Sequence, residues 1–230
     1  MRSFPPGLPA PFNGKRRDPS RSQSDSMRSD RIEPIVLASS SPRRSEILRI
    51  LGIEHIVFKP EIAEEHLPLE PGPLVRHLSM RKAEMAASAV GGGLILSADT
   101  VVVLGEEIMG KPGTEGEARG MLNRLSGRWH RVFTGLTLIA PALGRSVSGE
   151  EVTAVKFRAL EEWEIADYIR TGEPFDKAGG YGIQGKGAAL VERIEGCYFN
   201  VVGLPVARLL SLLRELGLDY GYPDIYRFDY

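Results

Sequence analysis

Two arginines stand in the first turn of a predicted helix, directly after a run of serines. Residues 39–44 (SSSPRR) follow a short apolar strand, and Ser41 with Pro42 is a typical helix start. Because a helix N-terminus already carries partial positive charge, two cations there are locally unfavourable unless an anion is bound. The pattern therefore indicates a phosphate site built from hydroxyls, backbone N–H groups and guanidinium groups. A serine-capped helix with two solvated arginines is the alternative.

A carboxylate ends a second predicted strand. Asp99 follows the apolar residues 94–98, and open α/β sheets bind ligands at the edge formed by the carboxyl ends of their strands. A carboxylate at that edge can bind a divalent cation or take a proton from water, and Thr100 adds a hydroxyl beside it. An aspartate that only caps a turn is the alternative.

Weaker signals are an acidic pair, Glu64 and Glu65, and two isolated lysines, Lys82 and Lys111. Either glutamate could meet Mg²⁺ through oxygen, but acidic pairs in loops are more often solvated. A lone lysine is usually a surface residue. On their own, these four side chains do not define a site.

A glycine-rich segment, residues 178–187 (AGGYGIQGKG), resembles a phosphate-binding loop without being one. Residues 180–186 fit the first seven positions of a Walker A motif, but Gly187 stands where serine or threonine is required. Residues 188–194 that follow are predicted as a strand and not as the required helix. The segment is better interpreted as a loop whose backbone approaches a ligand, with Gln184 offering its amide to a base edge. A glycine-rich turn is the alternative.

Histidine and cysteine give no sign of a zinc centre. No second histidine stands at ligand spacing from His130, and Cys197 is the only cysteine. An intramolecular disulfide is therefore excluded, which fits a reducing compartment. We interpret Cys197 as a packing residue.

Strands alternate with helices along most of the chain, which predicts an α/β fold. The β-rich middle of the chain makes the predicted sheet mixed and only partly parallel, flanked by helices, with the substrate cleft at the strand ends. The predicted helices are one that begins at Pro42 and ends at Gly52, followed by residues 72–90, 114–125, 160–170 and 205–216. The predicted strands are residues 35–38, 55–58, 94–98, 101–104, 107–109, 132–139, 152–157 and 188–194.

Composition narrows the class of protein. The 230 residues are 42% hydrophobic and 26% charged, with a formal net charge of −1, which is ordinary for a globular protein. That balance gives no reason to expect a nucleic-acid partner. No run of about 18 apolar residues occurs, so we expect no membrane partner either. A cytoplasmic location is the expectation.

The two ends of the chain differ from its middle. Residues 1–30 hold five prolines and six serines, and we expect a disordered extension. Translation from Met27 would remove most of it, and a targeting peptide is the less favoured alternative. Residues 31–218 form the predicted domain, and residues 219–230 form an aromatic tail that docks either on the body or on a partner subunit. A homodimer stays open.

Together these segments resemble the Maf family of nucleotide pyrophosphatases, in family order over about residues 35–217. The matching blocks are residues 38–48 (ASSSPRRSEIL), 97–101 (SADTV), 110–112 (GKP), 118–130 (ARGMLNRLSGRWH), 176–185 (DKAGGYGIQG) and 196–205 (GCYFNVVGLP). The resemblance implies a Maf/inosine-triphosphatase-like fold. It also implies hydrolysis of a nucleoside triphosphate to the monophosphate and pyrophosphate, which controls or cleans the nucleotide pool.

The resemblance also implies roles for individual residues. Asp99 would be the catalytic proton acceptor, and residues 183–185 (IQG) resemble the branch that prefers dTTP and UTP. The positions associated with base selection are Arg43, Thr100 and Gln184.

The remaining implied contacts concern phosphate and metal. A divalent cation, Mg²⁺ or Mn²⁺, would be held by Glu65 and Asp99. The implied substrate contacts are Ser39, Arg44, Lys82 and Lys111. A regulator of septum formation that binds nucleotide is the alternative function, and pyrophosphate release by the pure protein separates the two.

Overall fold

The computed structural model describes residues 28–32, 34–61 and 67–228. Its helices are α1 (Pro42–Ile50), α2 (Pro71–Val90), α3 (Glu115–Leu125), α4 (Glu162–Arg170), α5 (Tyr198–Val202) and α6 (Val206–Glu215). Its strands are β1 (Arg28–Arg31), β2 (Ile35–Ala38), β3 (Ile56–Phe58), β4 (Leu94–Leu104), β5 (Glu107–Met109), β6 (Trp129–Ala140), β7 (Arg145–Phe157), β8 (Val191–Glu195), β9 (Leu218–Tyr220) and β10 (Ile225–Phe228). The predictions for residues 1–27, Glu64 and Glu65 lie outside the described residues.

The main sheet has the strand order β3-β2-β4-β6-β7-β8, with β5 paired to β4. Strand β2 runs parallel to β3 and to β4, while the pairs β4–β6, β6–β7 and β7–β8 are antiparallel. The predicted mixed, partly parallel sheet is therefore confirmed. Within the described residues, no helix combines the length and the apolar character that crossing a membrane requires.

Helices cover both faces of the parallel part of the sheet. Leu37 packs in a cluster with Ile47 and Leu48 of α1, while the neighbouring Val36 packs against Ala83 of α2. Successive residues of a strand point to opposite faces, so a strand covered on both sides must be apolar throughout. This explains why β2 is an uninterrupted apolar run.

The prediction that a strand ends at residue 98 is wrong. Parallel pairing between β2 and β4 ends at Ala38 and Ser97, but β4 continues because β6 pairs with it as far as Val103. Asp99 therefore lies inside β4, opposite Gly135, and just beyond the carboxyl end of β2. The expected location at the edge of the parallel strands holds for β2, although β4 itself does not stop there.

The segment after the glycine-rich loop also differs from its prediction. A short 3₁₀ helix, Gly185–Leu190, occupies the first half of the predicted strand, and β8 begins only at Val191. The carboxylate of Glu173 accepts the backbone N–H groups of Lys186 and Gly187, which holds these residues away from an extended ladder.

A second, three-stranded sheet with the order β1-β10-β9 joins the two ends of the described chain. In the described part of residues 219–230, Ile225 is buried in the main core and the Tyr220 hydroxyl donates to the carbonyl of Leu51. Residues 28–30, which the sequence analysis placed in the extension, are part of β1. No local pattern predicted β1, β9, β10 or α5.

His130 lies in a buried aromatic cluster under the sheet. Its ring makes edge-to-face contacts with Phe157 and Tyr181, at centroid distances of 5.1 and 5.3 Å. Its Nε2 is 2.7 Å from the Tyr181 hydroxyl. Burial lowers the pKa of His130 to about 4, so the ring is neutral in the folded protein at pH 7.

This burial predicts acid sensitivity of the fold. The unfolded histidine, with a pKa of about 6.5, binds a proton more readily than the folded one, so stability is complete above that value and falls as the pH drops toward 4. Between pH 7 and pH 5 we expect His130 to remove about 2 kcal/mol from the free energy of unfolding. In urea titrations of His130→Gln, the difference in the free energy of unfolding between pH 7 and pH 5 should be smaller than in the parent by about that amount. His77→Gln, at an exposed position of α2, is the matched control. The same pH difference in His130→Gln as in the parent would contradict the assignment.

Candidate active site

One cleft of about 280 Å³ brings the predicted site residues together. It opens where the carboxyl end of β2, the start of α1, the middle of β4 and the glycine-rich loop meet. The predicted residues that line it are Ser39, Arg43, Arg44, Lys82, Asp99, Thr100, Lys111 and Gln184. Glu65 lies outside the described residues, so its role stays a prediction.

The turn before α1 presents a hydroxyl proton to the cleft. The Ser39 oxygen accepts the backbone N–H of Ser41 at 3.2 Å and an Nη1–H of Arg44 at 2.9 Å. Both bonds use the oxygen as acceptor, so the hydroxyl proton stays available for a ligand oxygen. Ser41 takes the N-cap position of α1, but its side chain makes no capping bond.

Arg44 is buried and serves as a framework residue. Its guanidinium donates to the carbonyls of Gly203 and Ala98, each at 2.8 Å, and to the hydroxyls of Ser39 and Thr100 at 2.9 and 3.0 Å. Four of its five N–H groups are thus used within the protein. Burial lowers the pKa of Arg44 to about 10, which leaves it charged at neutral pH.

A chain of hydroxyls fixes the direction of the Thr100 proton. Thr134 donates to the carbonyl of Asn200 at 3.0 Å, so in its 2.9 Å contact with Thr100 it can only accept. Thr100 therefore donates to Thr134 and accepts from Arg44. In this arrangement its proton is not offered to the cleft, and only its oxygen and methyl group face a ligand.

Asp99 forms an ion pair with Lys82 through its Oδ1. Both side chains are largely buried, with 15% and 22% of their surface exposed. Burial lowers the pKa of Lys82, and the charges of Arg44 and Lys111 act in the same direction, while Asp99 opposes them. The second carboxylate oxygen of Asp99 makes no bond within the described part of the chain.

Apolar side chains and one amide also line the cleft. Val102 and Val132 from the sheet and Val202 from α5 line it, together with Ile183 and Gln184 of the loop. A cleft lined by cations, by apolar side chains and by an amide offers partners for both the phosphates and the base of a nucleotide. Sequence reasoning identified the loop but not the valines.

The match to known proteins agrees with this geometry. A family model described as "Maf-like protein" matches residues 34–216. The chain belongs to the Maf family.

Several curated Maf relatives carry the name dTTP/UTP pyrophosphatase. The protein of Carboxydothermus hydrogenoformans is 52% identical over 183 residues, which cover 80% of this chain and 98% of that protein. The protein of Acetivibrio thermocellus is 49% identical, covering 80% of this chain and 96% of its own length. A solved structure, the Ham1 protein of Staphylococcus aureus, aligns with a TM-score of 0.40 and 16% identity over 54% of this chain and 72% of that chain.

The Maf cleft also contains two charged residues to which the sequence analysis gave no role. Asp176 accepts from Arg43 at 2.8 Å through Oδ2 and from Lys177 at 2.5 Å through Oδ1. Both residues begin the block 176–185, so that block was the signal that could have found them. The bond from Arg43 to Asp176 ties the first turn of α1 to the segment that leads into the glycine-rich loop.

The carboxylates of the Maf cleft fit a metal that arrives with its substrate. The described residues contain no group of three or more His, Cys, Asp or Glu side chains that could form a complete cage. Mg²⁺ in nucleotide enzymes is commonly held by one or two carboxylates together with substrate phosphates. The carboxylate of Asp99, which lines the cleft, meets that requirement.

The two neighbouring arginines should respond differently to replacement by lysine. Lysine cannot reproduce the fork of bonds made by buried Arg44, so Arg44→Lys should lower the free energy of unfolding by about 2–4 kcal/mol. Arg43 is exposed by 26% and forms an ion pair only with Asp176 among the described residues, so Arg43→Lys should cost less than about 1 kcal/mol. Urea denaturation of both variants checks this, and equal losses would mean that Arg44 is not the framework residue.

Proposed function

We propose that this chain hydrolyses nucleoside triphosphates to the monophosphate and pyrophosphate, with dTTP and UTP as preferred substrates. The observation that carries the proposal is the cleft itself, in which clustered cations, one buried carboxylate and one free amide face the same space. The names of the curated relatives, dTTP/UTP pyrophosphatase, support the same reaction. The activity would control or clean the nucleotide pool.

The cations of the cleft would bind the triphosphate. Arg43, Lys82 and Lys111 line it and can balance the phosphate charge, and Ser39 offers its free hydroxyl proton to a phosphate oxygen. Arg44 has one N–H left for a ligand. Its main contribution would be to hold Ser39 and Thr100 in place.

Asp99 would act as the general base. Its Oδ1 is held by Lys82, which leaves Oδ2 to take a proton from water. The water oxygen then bonds to the α-phosphorus, and the bond from that phosphorus to the bridging oxygen breaks, releasing pyrophosphate. Asp99 and Glu65 are also the predicted ligands of Mg²⁺ or Mn²⁺, which when bound would neutralise charge on the phosphates and the leaving group. Asp99 would serve both roles only once Lys82 has turned to a phosphate, so that one carboxylate oxygen faces the cation and the other takes the proton.

Gln184 would read the base. Its amide can donate to the O4 carbonyl and accept from N3–H, a donor–acceptor pair that thymine and uracil both present. Arg43 and Thr100 are the other predicted base-selecting positions. We also propose a cytoplasmic location, where the nucleotide pool is found, and the homodimer stays a prediction.

Asp99→Asn tests the base. The change is nearly isosteric but removes the proton acceptor, so pyrophosphate release should fall by about 10²–10⁴ while the melting temperature changes little. Asp167→Asn is the matched control, because that carboxylate is exposed on α4 and pairs only with Arg170 among the described residues. Activity of Asp99→Asn within threefold of the parent would show that Asp99 is not the base.

Gln184→Glu tests the preference for dTTP and UTP. Glutamate loses the donor and sets a carboxylate against O4, so kcat/KM for dTTP and UTP should fall by at least about tenfold, which is roughly 1.4 kcal/mol. The kcat/KM for purine triphosphates should fall much less. Because both substrates are measured with the same variant, any general damage to folding or to metal binding cancels in the comparison. Equal losses on pyrimidine and purine substrates would remove the main support for the assignment.

A further inference from the structure

Gln184 stands at the start of the 3₁₀ helix Gly185–Leu190 with its side chain free. It occupies the N-cap position, yet its side chain makes no capping bond. Residues at that position usually accept the first N–H groups of the helix. Within the described residues, the Gln184 amide has no hydrogen-bond partner in the protein, so it is available to a ligand in the cleft that it lines.

Glu173 performs the capping in its place. Its Oε1 accepts the N–H of Lys186 at 3.0 Å, and its Oε2 accepts the N–H of Gly187 at 3.2 Å. The first N–H groups of a helix need acceptors, and a carboxylate is a favourable one because of the helix dipole. Since a residue from a different segment supplies both acceptors, Gln184 is spared that task.

Tyr168 holds the other end of the same loop. Its hydroxyl oxygen accepts the N–H of Gly182 at 3.2 Å. Burial raises the pKa of Tyr168, and the charge of Glu173 acts in the same direction, so the phenol stays protonated. Glu173 and Tyr168 together fix residues 182 and 187, and Gln184 lies between them.

The backbone of this loop leaves little room for adjustment. A Cβ on Gly187 would lie 2.2 Å from the carbonyl oxygen of Gly182, so the two ends of the loop touch. Gly185 has a φ of +66°, which glycine adopts without strain. A closed loop of this kind holds its tip in one position as long as its anchoring bonds persist.

We propose that Glu173 is a specificity-determining positioning residue, which orients the Gln184 amide toward the base without touching the substrate. Glu173 does not line the cleft, so its influence on the base must pass through the loop. The proposal rests on the proposed function, because it concerns the discrimination made by Gln184. Loss of the carboxylate leaves two N–H groups without their acceptor and lets the loop rotate, which lowers pyrimidine selectivity.

A double-mutant cycle tests this route of action. Glu173→Ala, Gln184→Ala and the double variant are compared with the parent by the ratio of kcat/KM for dTTP to kcat/KM for GTP. Glu173→Ala should lower that ratio at least about fivefold in the parent and less than about twofold when Gln184 is already alanine. Glu173→Gln, which keeps one acceptor oxygen, should retain an intermediate ratio.

The controls separate positioning from general damage. Glu162→Ala removes a carboxylate that also makes two hydrogen bonds, to Arg119 and Asn123, but makes no contact with the loop, and should keep the parent ratio. If Glu173→Ala does not fold, Glu173→Gln is carried through the same cycle. A folded Glu173 variant with an unchanged ratio, or with the same drop in both backgrounds, would overturn the proposal. A parent that releases no pyrophosphate would instead overturn the proposed function.

Discussion

The buried guanidinium of Arg44 is the interaction on which the rest of the site depends. It joins three parts of the chain: the turn after β2 through Ser39, the middle of β4 through Ala98 and Thr100, and the end of α5 through Gly203. A buried charge is tolerated only when its donors are satisfied, so these three parts must arrive together. The fold and the cleft are therefore specified by the same side chain.

The hydrogen bonds of the Arg44 guanidinium also determine which polar groups remain available to a ligand. Arg44 uses the oxygen of Ser39 as acceptor and thereby leaves the serine proton free, while Thr100 passes its own proton to Thr134. Two hydroxyls of similar chemistry are thus left with opposite capacities, one as a donor and one as an acceptor. Such fixed polarity is what preorganised sites require, because little has to reorient when charge develops on a substrate.

Local signals in the sequence were enough where local chemistry decides the structure. The apolar run of β2 and the Ser41–Pro42 start of α1 were predicted correctly. The end of β4 was not predictable, because pairing with β6, and not the residues around Asp99, carries the strand onward. The bond between Asp176 and Arg43 was not predictable from local sequence either, because the two residues are 133 positions apart in the chain.

The cations that line the cleft create a trade-off between stability and activity. Burial lowers the pKa values of Arg44 and Lys82, and neighbouring cations act in the same direction, while the carboxylate of Asp99 opposes them at both residues. Burying these cations costs free energy in the protein without a ligand, and a bound polyanion offsets part of that cost. Substitutions that remove positive charge from the cleft would therefore raise the free energy of unfolding and lower the activity. Selection for catalysis is enough to keep the stability of the protein below the maximum that its fold allows.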